Sequence, residues 1–189
     1  VYATDASAEQ IARAQPCENV EYHVEPAEHV SLADSCVDLI TVAVAVHWFD
    51  FEMFYREVRR VLKPDGVLSV WTYSFTEISP EIDTLVRQYY YDVLDGFWPE
   101  RIHYLEEQYK TLPFPFEEVQ TPSFALERNF RLEEYAGFLD SWSATQRYKE
   151  QKGHHPLDAI WEQMSAAWGS EPRGVRWPFY FRIGKNGSA

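Results

Sequence analysis

The sequence has 189 residues, the usual size of a single globular domain, of which 46% are hydrophobic and 25% charged. These proportions exclude a disordered chain and a fibrous repeat. With 30 acidic against 17 basic side chains the net charge is −13, which argues against a nucleic-acid partner because such proteins present a basic face to the phosphates. No apolar run approaches the ~20 residues that a membrane span requires, so no membrane partner is expected.

Residues 1–74 alternate strand and helix patterns. Strands are predicted at 1–4, 20–24, 37–46 and 67–73. The 37–46 run is almost wholly apolar, which predicts a strand covered on both faces. Helices are predicted after Ser7 and Asp50, which suit N-caps, and the run 63–66 (KPDG) predicts a turn that ends the second helix. Strands and helices in this order require a parallel sheet with crossover connections, so this half is α/β.

The second half combines helices with two closing strands. Helices are predicted from Ser79 and near 132–142, 144–151 and 157–168, and strands at 123–128 and 175–183. Between residues 77 and 118, ten acidic and three basic side chains accompany many aromatic ones. This segment forms either a cover over a pocket or a satellite helix pair with its own small core. The predicted fold is a three-layer α/β domain with a mostly parallel sheet and an antiparallel last strand.

The two cysteines and the first residues of the chain indicate the cellular compartment. Cys17 and Cys36 are too few for a disulfide framework and lack the CxxC spacing. No basic segment followed by an apolar one opens the chain, so no secretory signal is expected. These features predict a protein of the reducing cytoplasm.

Asp5 lies at the carboxyl end of the first predicted strand, where ligands of open parallel sheets bind. A carboxylate at that position suits bidentate acceptance from two ribose hydroxyls. It equally suits capping of the helix that follows. Both alternatives are open on the sequence alone.

Five ordered blocks carry a resemblance to a known family. They are 5–10 (DASAEQ), 27–28 (AE), 37–40 (VDLI), 45–49 (AVHWF) and 57–66 (EVRRVLKPDG). Together they resemble the class I S-adenosylmethionine-dependent methyltransferases, and within them the small-molecule branch typified by trans-aconitate methyltransferase. The resemblance implies a Rossmann-like methyltransferase fold, S-adenosylmethionine as cofactor and a small-molecule acceptor.

The same resemblance assigns six residues to the cofactor. They are Asp5 at the ribose hydroxyls, Ala6 at the adenine face, Ala27 and Glu28 at the adenine edge, and Ala43 and Val44 along the methionine portion. Pro26 stands where many relatives carry an Asp that accepts from the adenine amino group. Glu25, Glu28 or a backbone carbonyl is then expected to replace that Asp.

The family's glycine-rich loop and the strand before it would lie upstream of Val1. In that fold the strand lies between the 1–4 and 37–46 strands, which would otherwise lose a ladder of hydrogen bonds. We therefore expect the 189 residues to belong to a longer chain, and to bind the cofactor poorly alone.

His47 and Trp48 fall where the resemblance places the mouth between cofactor and substrate. His47 is the candidate catalytic base, because the unperturbed pKa of a histidine side chain lies near neutrality. The alternative is a histidine packed at the strand end with a backbone partner. A roof over both residues is predicted from residues 77–118 and the helices around 142–148.

The block 142–148 (WSATQRY) resembles one found in bacterial and fungal relatives, so Trp142, Arg147 and Tyr148 are predicted to bind substrate. Arg147 would clamp a carboxylate acceptor with two parallel bonds. A neutral or cationic acceptor would instead use the aromatic lining. The alternative is that the aromatic pair belongs to the core and Arg147 to a surface ion pair.

The predicted organisation is one methyltransferase domain. Residues 1–74 form its cofactor-binding half, 75–121 and 131–170 a helical cover, and 122–130 and 175–184 the closing strands. Methyl transfer to a small molecule, with a carboxylate as one candidate acceptor, competes with a non-catalytic binding or scaffold role. A nicotinamide-dependent oxidoreductase is disfavoured by the KPDG block and the antiparallel finish. The adjacent His154 and His155 lack ligand spacing, and no metal is predicted.

Overall fold

The structure, a computed structural model, describes residues 1–121 and 123–187. Its backbone contacts divide the chain into two compact units. Among the described residues, the first unit comprises 1–71, 111–121 and 181–187, and the second comprises 72–110 and 123–180. The predicted single-domain organisation stays a prediction.

The first unit contains two strand–helix–strand connections. β1 (Tyr2–Asp5) and β2 (Glu21–Val24) pair in parallel, with α1 (Ala8–Ala12) between them in the chain. β3 (Val37–Ala43) and β4 (Leu62–Tyr73) also pair in parallel and are joined by α2 (Phe51–Val61). This is the α/β arrangement that the alternating pattern predicts.

Both helices of this unit begin at the predicted caps. Ser7 Oγ accepts from the Gln10 N–H at 3.3 Å. Asp50 Oδ1 accepts from the Met53 N–H at 2.9 Å. Each side chain satisfies a backbone donor that the first helical turn leaves without an intrahelical partner.

The turn predicted at residues 63–66 is instead a bulge inside β4. The strand begins at Leu62, directly after α2. Val37 pairs with Leu62, yet Leu39, two residues on, pairs with Val67, so residues 63–66 are accommodated on one strand. The bulge is bonded to Asn186, whose N–H donates to the Gly66 carbonyl at 2.8 Å.

The strand predicted at 37–46 is shorter in the structure and is partly exposed among the described residues. The strand ends at Ala43, and Leu39 within it is 54% exposed. The order of the sheet is β3–β4–β7–β5, where β5 is Glu117–Glu118 and β7 is Arg173–Lys185. Within the described residues, β3 has β4 as its sheet neighbour.

The closing strands confirm the antiparallel prediction. β7 runs from the second unit into the first, and its last residues pair antiparallel with β5. In the second unit, β6 (Phe124–Phe130) pairs antiparallel with the beginning of β7. The sheet is therefore mixed, as an α/β fold with a hairpin-like finish requires.

The second unit is helical around an aromatic core. Its helices are α3 (Pro80–Gln88), α4 (His103–Glu106), α5 (Leu132–Asp140), α6 (Ser143–Lys152) and α7 (Trp161–Trp168). Ile82 and Val86 of α3 share one buried cluster with Tyr135 and Leu139 of α5 and with Met164 of α7. The α3 segment thus joins a core common to several helices, which is not the satellite pair with a separate core. In the part of the chain that the structure describes, no helix has the length and apolarity for a membrane span.

Candidate functional site

The carboxyl ends of β1 and β2 bring the backbones of two acidic residues together. Asp5 is opposite Val24 in the parallel ladder, and its carbonyl accepts from the Glu25 N–H at 3.1 Å. The side chain of Asp5 is exposed, and its Oδ1 accepts from the Ser7 N–H at 2.7 Å. This bond fits the capping alternative, and it leaves Oδ2 without a donor among residues 1–121 and 123–187. Asp5 can therefore serve the helix and still accept from a ligand.

Glu25 is fixed by two donors. Its Oε2 accepts from the Tyr2 hydroxyl at 2.9 Å and from the Ser31 N–H at 3.0 Å. The hydrogen bonds from Ser31 lower the pKa of the Glu25 carboxyl. Burial and the neighbouring Glu25 carboxylate raise the pKa of Tyr2, so the phenol keeps its proton. Glu25 is thus an oriented carboxylate next to Pro26, at the position where an adenine partner is expected.

Glu28 connects the loop after β2 to the start of α2. Its Oε1 accepts from the Asp50 N–H at 2.9 Å, and Asp50 is the N-cap of α2. Ala27, beside it, is half-buried. The residue that the resemblance assigns to the adenine edge therefore also holds the chain that leads from β3 into α2.

The backbone at Val44 is strained. This residue follows β3 and has a φ of 49°, in the left-handed region, which a β-branched side chain adopts at a cost of about 1–3 kcal/mol. Its N–H donates to the Trp71 carbonyl at 2.9 Å. Ala43, before it, is exposed. Strain of this kind concentrates at functional sites, and Val44 is one of the predicted cofactor residues.

His47 and Trp48 lie in a short 3₁₀ helix, Val46–Trp48. His47 is buried with 2% of its surface exposed, whereas Trp48 is 50% exposed. Their ring centroids are 4.8 Å apart. The burial of His47 fits the packed alternative, and Trp48 offers an open indole face beside it.

The three residues predicted to bind substrate lie in the second unit. Trp142 packs among aromatic rings, with ring centroids of Trp98 at 5.6 Å and Tyr90 at 5.8 Å, as the core alternative predicts. Arg147 is exposed, and its Nη1 donates to the Phe97 carbonyl over 3.5 Å. Tyr148 packs on Phe97, and its hydroxyl lies 3.1 Å from His154 Nε2.

The residues predicted for the site are therefore divided between the units. The six cofactor candidates, His47 and Trp48 belong to the first unit, and the block 142–148 belongs to the second. Within the first unit, direct bonds join the ends of β1 and β2 and join Glu28 to the start of α2. The predicted roof stays a prediction.

Sequence reasoning missed two residues near the cofactor candidates. Glu57 and Arg60 of α2 form an ion pair with an Nη2–Oε1 distance of 2.6 Å. Hydrogen bonds from Arg60, together with that of the Val30 N–H, lower the pKa of Glu57 to about 2 in spite of its burial. Their i,i+3 spacing inside the 57–66 block marks them as a pair, but spacing alone does not reveal that both also contact the loop after β2.

No group of three or more metal-ligating side chains is found within the described ranges.

Known methyltransferases are similar to this chain. Residues 1–70 match the model of a methyltransferase domain family. A protein of Dictyostelium discoideum, described as a candidate methyltransferase, is 30% identical over 193 residues, which cover 98% of this chain and 73% of that protein. A solved structure of a candidate type II methyltransferase from Anaeromyxobacter dehalogenans is 37% identical, with a TM-score of 0.89, over 100% of this chain and 81% of that one.

A shorter match concerns an enzyme with a named substrate. The malonyl-[acyl-carrier protein] O-methyltransferase of Dechloromonas aromatica is 39% identical over 69 residues. These cover 36% of this chain and 25% of that protein.

Proposed function

Because the chain belongs to the class I S-adenosylmethionine-dependent methyltransferases, we propose that it transfers a methyl group from that cofactor to a small-molecule acceptor. The observation that carries the proposal is the exposed Asp5 carboxylate at the end of β1, bonded through its backbone to Glu25. The cofactor supplies a methyl carbon already activated by its sulfonium. The chain's task is therefore to align an acceptor and exclude water.

The residues at the strand ends fit such a cofactor. Asp5 keeps one carboxylate oxygen for hydroxyl donors, and carboxylates are pure acceptors that suit a ribose diol. The residues that would hold the remainder lie at or just after the carboxyl ends of β1, β2 and β3. They are Ala6, Ala27, Glu28, Ala43 and Val44.

His47 is proposed as the base for acceptors that must lose a proton, and Trp48 as an open contact for the acceptor. Both follow β3 closely in the chain. A base at this position would take the acceptor's proton as its oxygen or nitrogen attacks the methyl carbon. A carboxylate acceptor needs no base, since it is ionised near neutral pH.

A carboxylate is the finer proposal for the acceptor. It is supported by the shorter match to the malonyl-[acyl-carrier protein] O-methyltransferase. The guanidinium of Arg147 gives the clamp no support, because it is exposed and bonded to the Phe97 carbonyl. Tyr148 would contact the same acceptor. Its neighbour Trp142 gives less support, because it packs among core rings. An aromatic-lined site for a neutral or cationic acceptor is the competing proposal.

A non-catalytic scaffold is the second candidate function. It is favoured by the hydrogen bonds that Asp5, Glu25 and Glu28 already accept from backbone N–H groups of the chain. These bonds give the three carboxylates a structural role that needs no cofactor. The two functions differ in one respect that is easy to measure. An enzyme binds the cofactor, and a scaffold that has lost the site does not.

The test uses the full open reading frame. Titration with S-adenosylhomocysteine should release measurable heat with one-site stoichiometry. Incubation with methyl-labelled S-adenosylmethionine and separate pools of carboxylates, phenols and amines should then label one pool. Absence of binding would favour the scaffold, and label in amines alone would overturn the carboxylate proposal.

The location is proposed to be cytoplasmic. Cys17 and Cys36 are both exposed and unpaired. Exposed thiols are typical of reducing compartments.

A further inference from the structure

The loop between β2 and β3 has little structure of its own. Residues 25–36 form turns and extended backbone without a helix or strand. The loop carries Ala27 and Glu28, the residues assigned to the adenine edge. Its conformation must therefore come from contacts with other elements.

Two side chains of α2 supply those contacts. Glu57 Oε1 accepts from the Val30 N–H at 2.9 Å, and Glu57 is 8% exposed. Arg60 donates through Nη2 to the Val30 carbonyl at 3.1 Å and through Nη1 to the Leu32 carbonyl at 2.8 Å. Val30 is thus held at both its N–H and its carbonyl by one ion pair.

The guanidinium of Arg60 uses its full set of donors. Besides the two loop carbonyls, it bonds Glu57 Oε2 through Nε at 2.9 Å, Glu57 Oε1 through Nη2 at 2.6 Å and Asp34 Oδ1 through Nη1 at 2.7 Å. Five N–H groups therefore meet five acceptors. An ion pair that only stabilised its own helix would need two of these bonds; the other three go to the loop.

The backbone of α2 adds to this attachment. The Ser35 N–H donates to the Arg60 carbonyl at 2.8 Å, and the Cys36 N–H donates to the Val61 carbonyl at 2.9 Å. At the other end of the helix, Glu28 accepts from Asp50. The loop is therefore fastened to both ends of α2, and the Glu57–Arg60 pair is the attachment between them.

We propose that Glu57 and Arg60 are positioning residues for cofactor binding, which hold residues 27–34 in the conformation that meets the adenine. This role rests on the proposed function. Neither side chain needs to touch the cofactor. They set the fraction of molecules whose loop already has the conformation that binds the cofactor. If that fraction falls, the apparent affinity for the cofactor falls in the same proportion.

Glu57→Gln is the sharpest variant. The glutamine keeps an oxygen at Oε1 for the Val30 N–H and Arg60 Nη2, but an amide nitrogen replaces Oε2. Arg60 Nε therefore loses its acceptor, and the pair loses its negative charge. With the full open reading frame, we expect the affinity for S-adenosylhomocysteine to fall about ten-fold by calorimetry, if the ready fraction falls to a tenth. Hydrogen exchange of amides 29–34, measured without ligand, should accelerate.

Two variants of Arg60 test the same role if Glu57→Gln does not fold. Arg60→Met removes all five donors, whereas Arg60→Lys keeps the charge and can bond one or two acceptors. Affinity should be weakest in Arg60→Met and partly restored in Arg60→Lys. Equal affinities in the two would overturn the role of the guanidinium donors.

Val58→Ala is the control for a merely structural effect. Val58 is buried on the same helix, and its truncation should lower the melting temperature without releasing the loop. We expect its affinity to stay within two-fold of the wild type. Asp38→Asn, which breaks an exposed ion pair with Lys63 in the same unit, should also be silent.

The outcomes separate the two proposals. Wild-type protein that fails to bind S-adenosylhomocysteine would overturn the proposed function and this role with it. Wild-type binding with unchanged affinity in Glu57→Gln would overturn the positioning role alone. So would a loss of affinity in Val58→Ala as large as that in Glu57→Gln.

Discussion

The two units bury different kinds of polar side chain. In the first unit, the buried polar groups include the imidazole of His47, the carboxylate of Glu57 and the hydroxyl of Ser69. In the second, they include the hydroxyls of Thr72, Thr76 and Thr145. A buried charge is costly unless it is paired and hydrogen-bonded, whereas a hydroxyl needs one partner. The first unit thus contains the predicted cofactor residues and a partly buried ion pair, whereas buried hydroxyls of the second bond one another within its packed core.

The packing of the second unit offers the largest expected effect. Leu139 of α5 is 1% exposed within the aromatic core, so Leu139→Ala should lower the free energy of unfolding by about 2–5 kcal/mol. Denaturant unfolding measures this loss. Leu126→Ala, in the same unit but 54% exposed, is the control and should change the free energy by less than about 0.5 kcal/mol. If Leu139→Ala weakened cofactor binding in folded protein, the division of roles between the units would be wrong.

The next largest effect is a loss of stability in acid, which we expect to arise in the first unit through Glu57. The Arg60 hydrogen bonds lower the pKa of Glu57 from its ordinary 4.5 to about 2, so its carboxylate stabilises the fold above pH 4.5. That contribution is lost as the pH falls from 4.5 to 2, and amounts to about 3 kcal/mol at most. The free energies of unfolding of the wild type and of Glu57→Gln should therefore approach each other as the pH falls from 4.5 to 2. A difference in free energy of unfolding that stayed constant between pH 4.5 and 2 would contradict the stabilising role of the Glu57 carboxylate.

A smaller effect should come from the hydroxyls of the second unit. Tyr135 Oη lies 2.6 Å from the Thr76 hydroxyl, and both groups are buried. Tyr135→Phe leaves the threonine without this partner, so we expect a loss of about 1–2 kcal/mol. Because burial raises the pKa of Tyr135, the loss should be the same at pH 5 and pH 8. A loss that changed between those values would show that an ionisable group takes part.

Local signals explain how much of the fold is predictable from the sequence. The caps at Ser7, Asp50 and Ser79 act on backbone donors three residues away, so sequence spacing reveals them. The bulge at 63–66 is different, because the Asn186 that bonds it lies at the other end of the chain. A KPDG run read alone therefore indicates a turn.

The candidate site shows the same limit. Asp5 is found from its place at the end of a strand, which the apolar pattern and the following cap define. Glu57 and Arg60 are visible as an i,i+3 pair, yet their bonds to Val30 and Leu32 join segments more than 25 residues apart. The exposure of Arg147 depends equally on packing that no local pattern encodes.

The central claim is that the cofactor is held in the first unit by the carboxylate at the end of β1. The most direct test is calorimetric titration of the full open reading frame with S-adenosylhomocysteine, comparing wild type, Asp5→Ala and Glu9→Ala. Glu9 is an exposed acid on α1 that pairs with Arg13, and its loss should leave the affinity unchanged. Loss of charge-assisted bonds at Asp5 should cost about 1.5–3 kcal/mol, a roughly ten- to hundred-fold weaker affinity. Equal affinities for wild type and Asp5→Ala would contradict the account.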